Sequence, residues 1–126
     1  MFEITKRFMF EAAHQLPWHQ GKCHNLHGHS YKLEVTLGSE NLDTNGVVLD
    51  FDILSQIVDE VTVKRYDHKY LNDFFDNPTA ENMAAEIFKN VSTVLAKNQE
   101  GNGLSPITVK MVRLWETEKC SVTVTL

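Results

Sequence analysis

Residues 2–13 alternate in character. Phe2, Ile4, Phe8, Phe10 and Ala12 share one parity, interrupted by Lys6, while Glu3, Thr5, Arg7 and Glu11 fill most of the other. Side chains two apart on an extended chain share a face, so this spacing predicts a long strand with one apolar side. Residues 14–28 then form a long connection punctuated by Pro17, Gly21 and Gly28. Alternation resumes over 29–37, with Tyr31, Leu33, Val35 and Leu37 on the apolar face and Ser30, Lys32, Glu34 and Thr36 on the polar one. The economical pairing is an antiparallel hairpin with an extended, functional loop. Residues 38–46 are a turn region ending in Asn45-Gly46, and 47–49 are expected to form a short extended piece.

The period then changes. From Asp50 or Asp52, Leu54, Ile57, Val58 and Val61 recur at three and four, which predicts a helix stopping near Arg65. Its end is weakened by the β-branched residues after Val58. A polar and aromatic connection over 66–77 precedes a second helix beginning at Pro78-Thr79, with Asn77 or Thr79 as cap. Its stripe is Ala80, Met83, Ala84, Ile87, Phe88, Val91 and Leu95, and it ends before Gly101-Asn102-Gly103. Strands over 107–115 and 120–125 complete a β-β-α-α-β-β order. The expected architecture is α+β, a four-stranded antiparallel sheet with two helices on one face, in a single domain spanning 1–126. Strand 107–115 reads as apolar on both faces, with Ile107, Val109 and Met111 on one and Val112 and Leu114 on the other. A partly dry second face and open edges point to association through the sheet.

Composition narrows the function classes. The chain has 126 residues, 42% hydrophobic, with a formal net charge of −5. A domain that neutralises nucleic-acid phosphates is normally basic, so that class is disfavoured. Two cysteines make no disulfide framework in a chain of this length. No apolar run approaches the roughly 20 residues of a membrane span, and the first residues lack a signal-peptide pattern. A reduced, cytoplasmic setting is expected.

The histidines change the picture most. Of six, His14, His19, His24, His27 and His29 crowd into one stretch with Cys23 among them. His14 has the parity of Phe8, Phe10 and Ala12, while His27 and His29 have the parity of Tyr31, Leu33 and Val35. If the two strands pair, three imidazoles converge at one end of the sheet's inner face. An all-imidazole set of three suits zinc with an open fourth position and disfavours magnesium or calcium. Gly28, between two ligands, permits close backbone approach or an unusual dihedral. A closed site with Cys23 as fourth ligand, purely structural, is the main competitor.

An open metal site still needs proton-transfer groups. Cys23, beside the imidazoles in a glycine-flanked loop, is a candidate base or nucleophile. Asp67-His68 after the first helix can form a relay, with Asp67 orienting His68; a capping or surface role is the competing reading. Glu116, just past Leu114 and Trp115, can accept two parallel hydrogen bonds from the N–H/NH₂ edge of a heterocycle. Thr79 and Glu81 open the second helix, where ordinary capping and surface roles compete with binding.

These residues carry a resemblance. Phe10-Glu11-Ala12-Ala13-His14 followed by Cys23-x-x-x-His27-Gly28-His29-Ser30-Tyr31 resembles the 6-pyruvoyltetrahydropterin synthase superfamily. Val48-Leu49-Asp50-Phe51, Tyr66-Asp67-His68-Lys69 with Leu71, Asn77-Pro78-Thr79-Ala80-Glu81-Asn82 and Trp115-Glu116-Thr117 extend the match along nearly the whole chain. The short interval from Cys23 to His27 is most similar to the bacterial branch that forms 6-carboxy-5,6,7,8-tetrahydropterin. The resemblance implies the tunnelling fold (T-fold), with sheets from three subunits closed into a barrel and two trimers stacked as a hexamer with sites between subunits. It implies zinc on His14, His27 and His29, and 7,8-dihydroneopterin triphosphate as substrate. Cys23 would be general base, His68 with Asp67 the partner acid/base, and Glu116 the pterin anchor, with Thr79 and Glu81 close to the ring. Lys22, Lys64, Arg65 and Lys69 are candidate triphosphate contacts, and His19 and His24 stand outside the implied ligand triad. Pyruvoyl-forming activity, or a zinc-stabilised binding protein without catalysis, are the competing functions.

Overall fold

The computed structural model describes residues 1–99 and 106–126; the expected Gly101-Asn102-Gly103 stop lies outside them. The alternating segments form two long strands, β1 (Phe2–His14) and β2 (His27–Ser39). They pair antiparallel over their full length, Phe2 opposite Ser39 and His14 opposite His27. β2 begins two residues earlier than its apolar run suggests, which puts His27 and His29 on one strand. The next segment, 47–49, is not a strand. Asp43 instead folds it into a turn: its carboxylate accepts from Asn45 N (2.8 Å) and Val47 N (3.2 Å), and Gly46 supplies the left-handed φ of +79°.

Helix α1 starts where expected, its N-cap Asp50 accepting from Asp52 N at 2.7 Å. It runs α-helical over Phe51–Val58, π-helical over Asp59–Val63 and α-helical again over Lys64–Tyr66. The π segment coincides with the β-branched stretch that weakens an ordinary helix. The connection after it holds an element without periodic signature: β3 (Lys69–Tyr70) pairs parallel with Ala12 and Ala13 of β1. Helix α2 (Ala80–Asn98) is capped by Thr79, whose hydroxyl accepts from Asn82 N at 3.1 Å. β4 (Thr108–Thr117) and β5 (Cys120–Thr125) close the chain.

Among the described residues the sheet therefore has five strands, ordered β3-β1-β2-β4-β5, and is mixed rather than purely antiparallel. Phe8, Phe10, Tyr31, Leu33, Val35 and Leu37 of the two long strands meet Leu54 and Val58 of α1 and Met83, Ile87 and Val91 of α2 in one core. Both helices thus serve one face. The expectation that β4 is apolar on both faces does not hold. Met111 pairs with Thr36 but Val109 pairs with Leu37, so Lys110 is an extra residue at a bulge. The bulge resets the parity, and Val109, Val112 and Leu114 all enter the same core.

Candidate metal centre and adjoining cavities

The hairpin register delivers the imidazoles. His14 lies opposite His27 and Ala12 opposite His29, at the end of the core face. Their ligand nitrogens all lie within 4.8 Å of one another. His14 is fully buried, and its Nδ1 lies 2.8 Å from the Pro78 carbonyl. His27 Nδ1 lies 2.7 Å from the Asn25 carbonyl. A carbonyl only accepts, so each Nδ1 carries the proton and each Nε2 presents a lone pair. These two Nε2 atoms are 3.0 Å apart. Two lone pairs aimed at one point repel unless a cation lies between them. His29 Nε2 is buried without a hydrogen bond and lies 3.1 Å from Glu116 Oε1. Three imidazoles with free nitrogens, two of them fixed by outer carbonyls, fit a divalent metal bound through nitrogen.

Electrostatics agree. Burial pushes His14 below the ordinary histidine range, against the Pro78 carbonyl and the Glu116 carboxylate, which raise it, and burial likewise pushes His29 down. Both are therefore neutral near pH 7, the form that ligates. A depressed folded value means that the unfolded chain takes up protons first on acidification. Stability of the metal-free protein is full above about pH 6.5, the ordinary histidine value, and falls as pH drops through the lower folded values. Thermal melts between pH 8 and pH 5 should show this decline, with zinc retarding it.

Cys23 is half-buried in a 3-10 turn, Lys22–His24, outside the three-imidazole cluster. The turn is fastened by Leu16 N donating to the Cys23 carbonyl at 2.8 Å. His24 and His19 also serve the loop: His24 Nδ1–H donates to the Pro17 carbonyl (2.7 Å), and His19 Nδ1 accepts from Gly21 N (2.8 Å).

Asp67 and His68 are locked onto the edge of β1. Asp67 Oδ1 accepts from Glu11 N at 2.9 Å, and His68 N donates to the Glu11 carbonyl. This double clamp holds His68 at φ +59°, a left-handed conformation costly for a residue with a Cβ. The reward is orientation, since His68 Nδ1 lies 3.0 Å from Asp67 Oδ2. The Glu11 amide, followed by His68, holds the Asp67 carboxyl below its usual range. The Asp67 carboxylate and the His68 ring thus meet within the dipeptide itself.

Two concavities meet at Gly28, His29 and Ser30. One, about 510 Å³, is also lined by His68, Lys69 and Tyr70; the other, about 290 Å³, by Lys32, Trp115 and Glu116. Thr79 and Glu81 line neither: Thr79 is spent as the α2 cap, and Glu81 is exposed in the first turn. Their neighbour Pro78 reaches the site through its carbonyl. Gly28 differs from expectation. A Cβ there would meet only the Ala12 carbonyl, at 3.6 Å, and its φ is not left-handed. Gly28→Ala should therefore melt within about 3 °C of the parent, as surface changes free of strain usually do, and thermal denaturation checks this.

Residue spacing left several parts of the site undetected. The orienting groups on His14 and His27 are backbone carbonyls, which carry no side-chain signature. Asn72 bonds Gln15 twice, Oδ1 accepting from Gln15 N (3.0 Å) and Nδ2 donating to Gln15 O (2.9 Å), and so fixes the residue after His14. Tyr31 was visible only as a core residue. Burial first, then the neighbouring Glu116 carboxylate, raises its phenol far above the usual range, so it remains a donor.

Strand-borne imidazoles that could hold a metal ion, an aspartate-oriented histidine and a carboxylate thus gather at one end of an α+β sheet. The profile of the family described as 6-pyruvoyl tetrahydropterin synthase matches residues 3–126, and the chain belongs to that family. A 6-carboxy-5,6,7,8-tetrahydropterin synthase from Synechocystis is 47% identical over 94 residues, 70% of this chain and 73% of the relative. A dihydroneopterin monophosphate aldolase from Pyrococcus furiosus is 38% identical over 119 residues, 94% of this chain and 93% of the relative. The structure of Caenorhabditis elegans 6-pyruvoyl tetrahydropterin synthase superposes with a TM-score of 0.82 at 27% identity, covering 99% of this chain and 95% of that one. The fold is thus the tunnelling fold, here with the short β3 added to the four principal strands.

Proposed function

We propose that the protein converts 7,8-dihydroneopterin triphosphate and one water to 6-carboxy-5,6,7,8-tetrahydropterin, acetaldehyde and triphosphate, on the 7-deazaguanine route to queuosine. The observation that carries this reading is the three-imidazole cluster with the oriented Asp67–His68 pair on a cavity that also reaches His29. His14, His27 and His29 hold zinc. Bound there, zinc would polarise a substrate hydroxyl oxygen and lower the pKa of that hydroxyl. Cys23 removes a proton from the substrate side chain, and His68, held by Asp67, returns one. Glu116, on the wall of the smaller cavity, accepts from the amino-pyrimidine edge of the pterin. Lys69, beside His68 on the cavity wall, is the best-placed cation for the triphosphate.

The enzyme is proposed to work in the cytoplasm as a hexamer, a dimer of trimers. Support for association, among the described residues, is the outer edge of β1, which pairs with β3 only at Ala12 and Ala13, and the edge of β5 that no strand covers. Incubation of zinc-loaded protein with 7,8-dihydroneopterin triphosphate, followed by mass spectrometry, tests the activity. Acetaldehyde with the 6-carboxy product supports it, and a 6-pyruvoyl product without acetaldehyde replaces it. The Pyrococcus relative favours a second reading, aldol cleavage of a dihydroneopterin phosphate, which would release glycolaldehyde phosphate instead.

A further inference from the structure

Tyr31 is fully buried, and its hydroxyl makes no hydrogen bond. An unpaired buried donor is a cost that folding does not explain. Packing needs only the ring, which stacks on Phe10 with centroids 5.0 Å apart; phenylalanine would serve equally. The placement is specific. The ring lies 5.5 Å from that of His29 and 6.3 Å from that of His14. One step beyond the last β2–β4 pair, Lys32 with Trp115, the register brings Tyr31 alongside Glu116. The ring that carries the orphan donor thus packs against the imidazole cluster, at the strand position next to Glu116.

We infer that the Tyr31 hydroxyl is a further substrate-contacting residue, donating to a side-chain oxygen of the ligand that the imidazole cluster receives. This rests on the pterin reading above. The acceptor is an oxygen attached to the heterocycle's side chain, because the edge of the ring itself is matched by Glu116. The hydroxyl thereby helps to select a hydroxylated side chain over a bare ring.

The test is Tyr31→Phe with two fluorescent ligands, neopterin, which has a trihydroxypropyl side chain, and pterin, which has none. Equilibrium binding is measured on zinc-loaded and zinc-free protein, alongside melting temperature and zinc content. The expected result is unchanged zinc content, a melting temperature equal to or above the parent's, neopterin binding weakened about tenfold, as for one lost hydrogen bond, and pterin binding unchanged. Neopterin binding within twofold of the parent, equal weakening of both ligands, or loss of zinc or stability overturns the inference. A parent protein that binds neither ligand overturns the pterin reading and the inference with it. A parent that binds both, with an indifferent variant, overturns the inference alone.

Discussion

His27→Ala protein is expected to fold but to bind zinc more than about 100-fold more weakly than the parent, because even outer-shell losses at metal sites cost about 10- to 100-fold. His27 is partly exposed, and its replacement leaves only the Asn25 carbonyl to be rehydrated. Activity should fall with the metal. His14→Ala should lose as much zinc affinity and stability besides. His14 is buried, and its removal orphans the Pro78 carbonyl, a penalty of about 1–3 kcal/mol before any cavity cost. Chelator-competition titrations and thermal melts of the two variants separate these effects. Equal melting temperatures would contradict the structural role given to His14.

Cys23→Ala should show the opposite pattern. Zinc affinity should stay within about twofold of the parent's, while turnover falls about 100- to 10,000-fold, the usual worth of a positioned general base. The basis is geometric: the cluster that converges consists of three imidazoles, and Cys23 stands outside it on its own turn. If Cys23 were a fourth ligand, the variant would release zinc and melt early, as a closed structural site requires. Retained turnover would remove Cys23 from the proposed chemistry while leaving the metal centre intact.

The three-imidazole cluster was legible because strand parity is strict. One hairpin fixes which face His14, His27 and His29 share, and no other long-range information is needed. The helices were legible through their caps, Asp50 and Thr79, and their apolar stripes. The remainder depends on contacts that leave no period in the chain. β3 is two residues long and exists because the Glu11 backbone receives Asp67 and His68 beside it. The Lys110 bulge places Val109 and Val112 on one face although their spacing says otherwise. Asn25 and Pro78 act through carbonyls, and Gly28 proved to be needed neither for a close contact nor for a left-handed dihedral.

The ligand set is the claim on which the chemistry depends, and X-ray absorption at the zinc edge of the loaded protein reads it directly. The expected spectrum has three nitrogen ligands at about 2.0–2.1 Å with an exchangeable oxygen and no sulfur shell. A sulfur scatterer at about 2.3 Å would place Cys23 on the metal, and the open, catalytic centre described here would be contradicted.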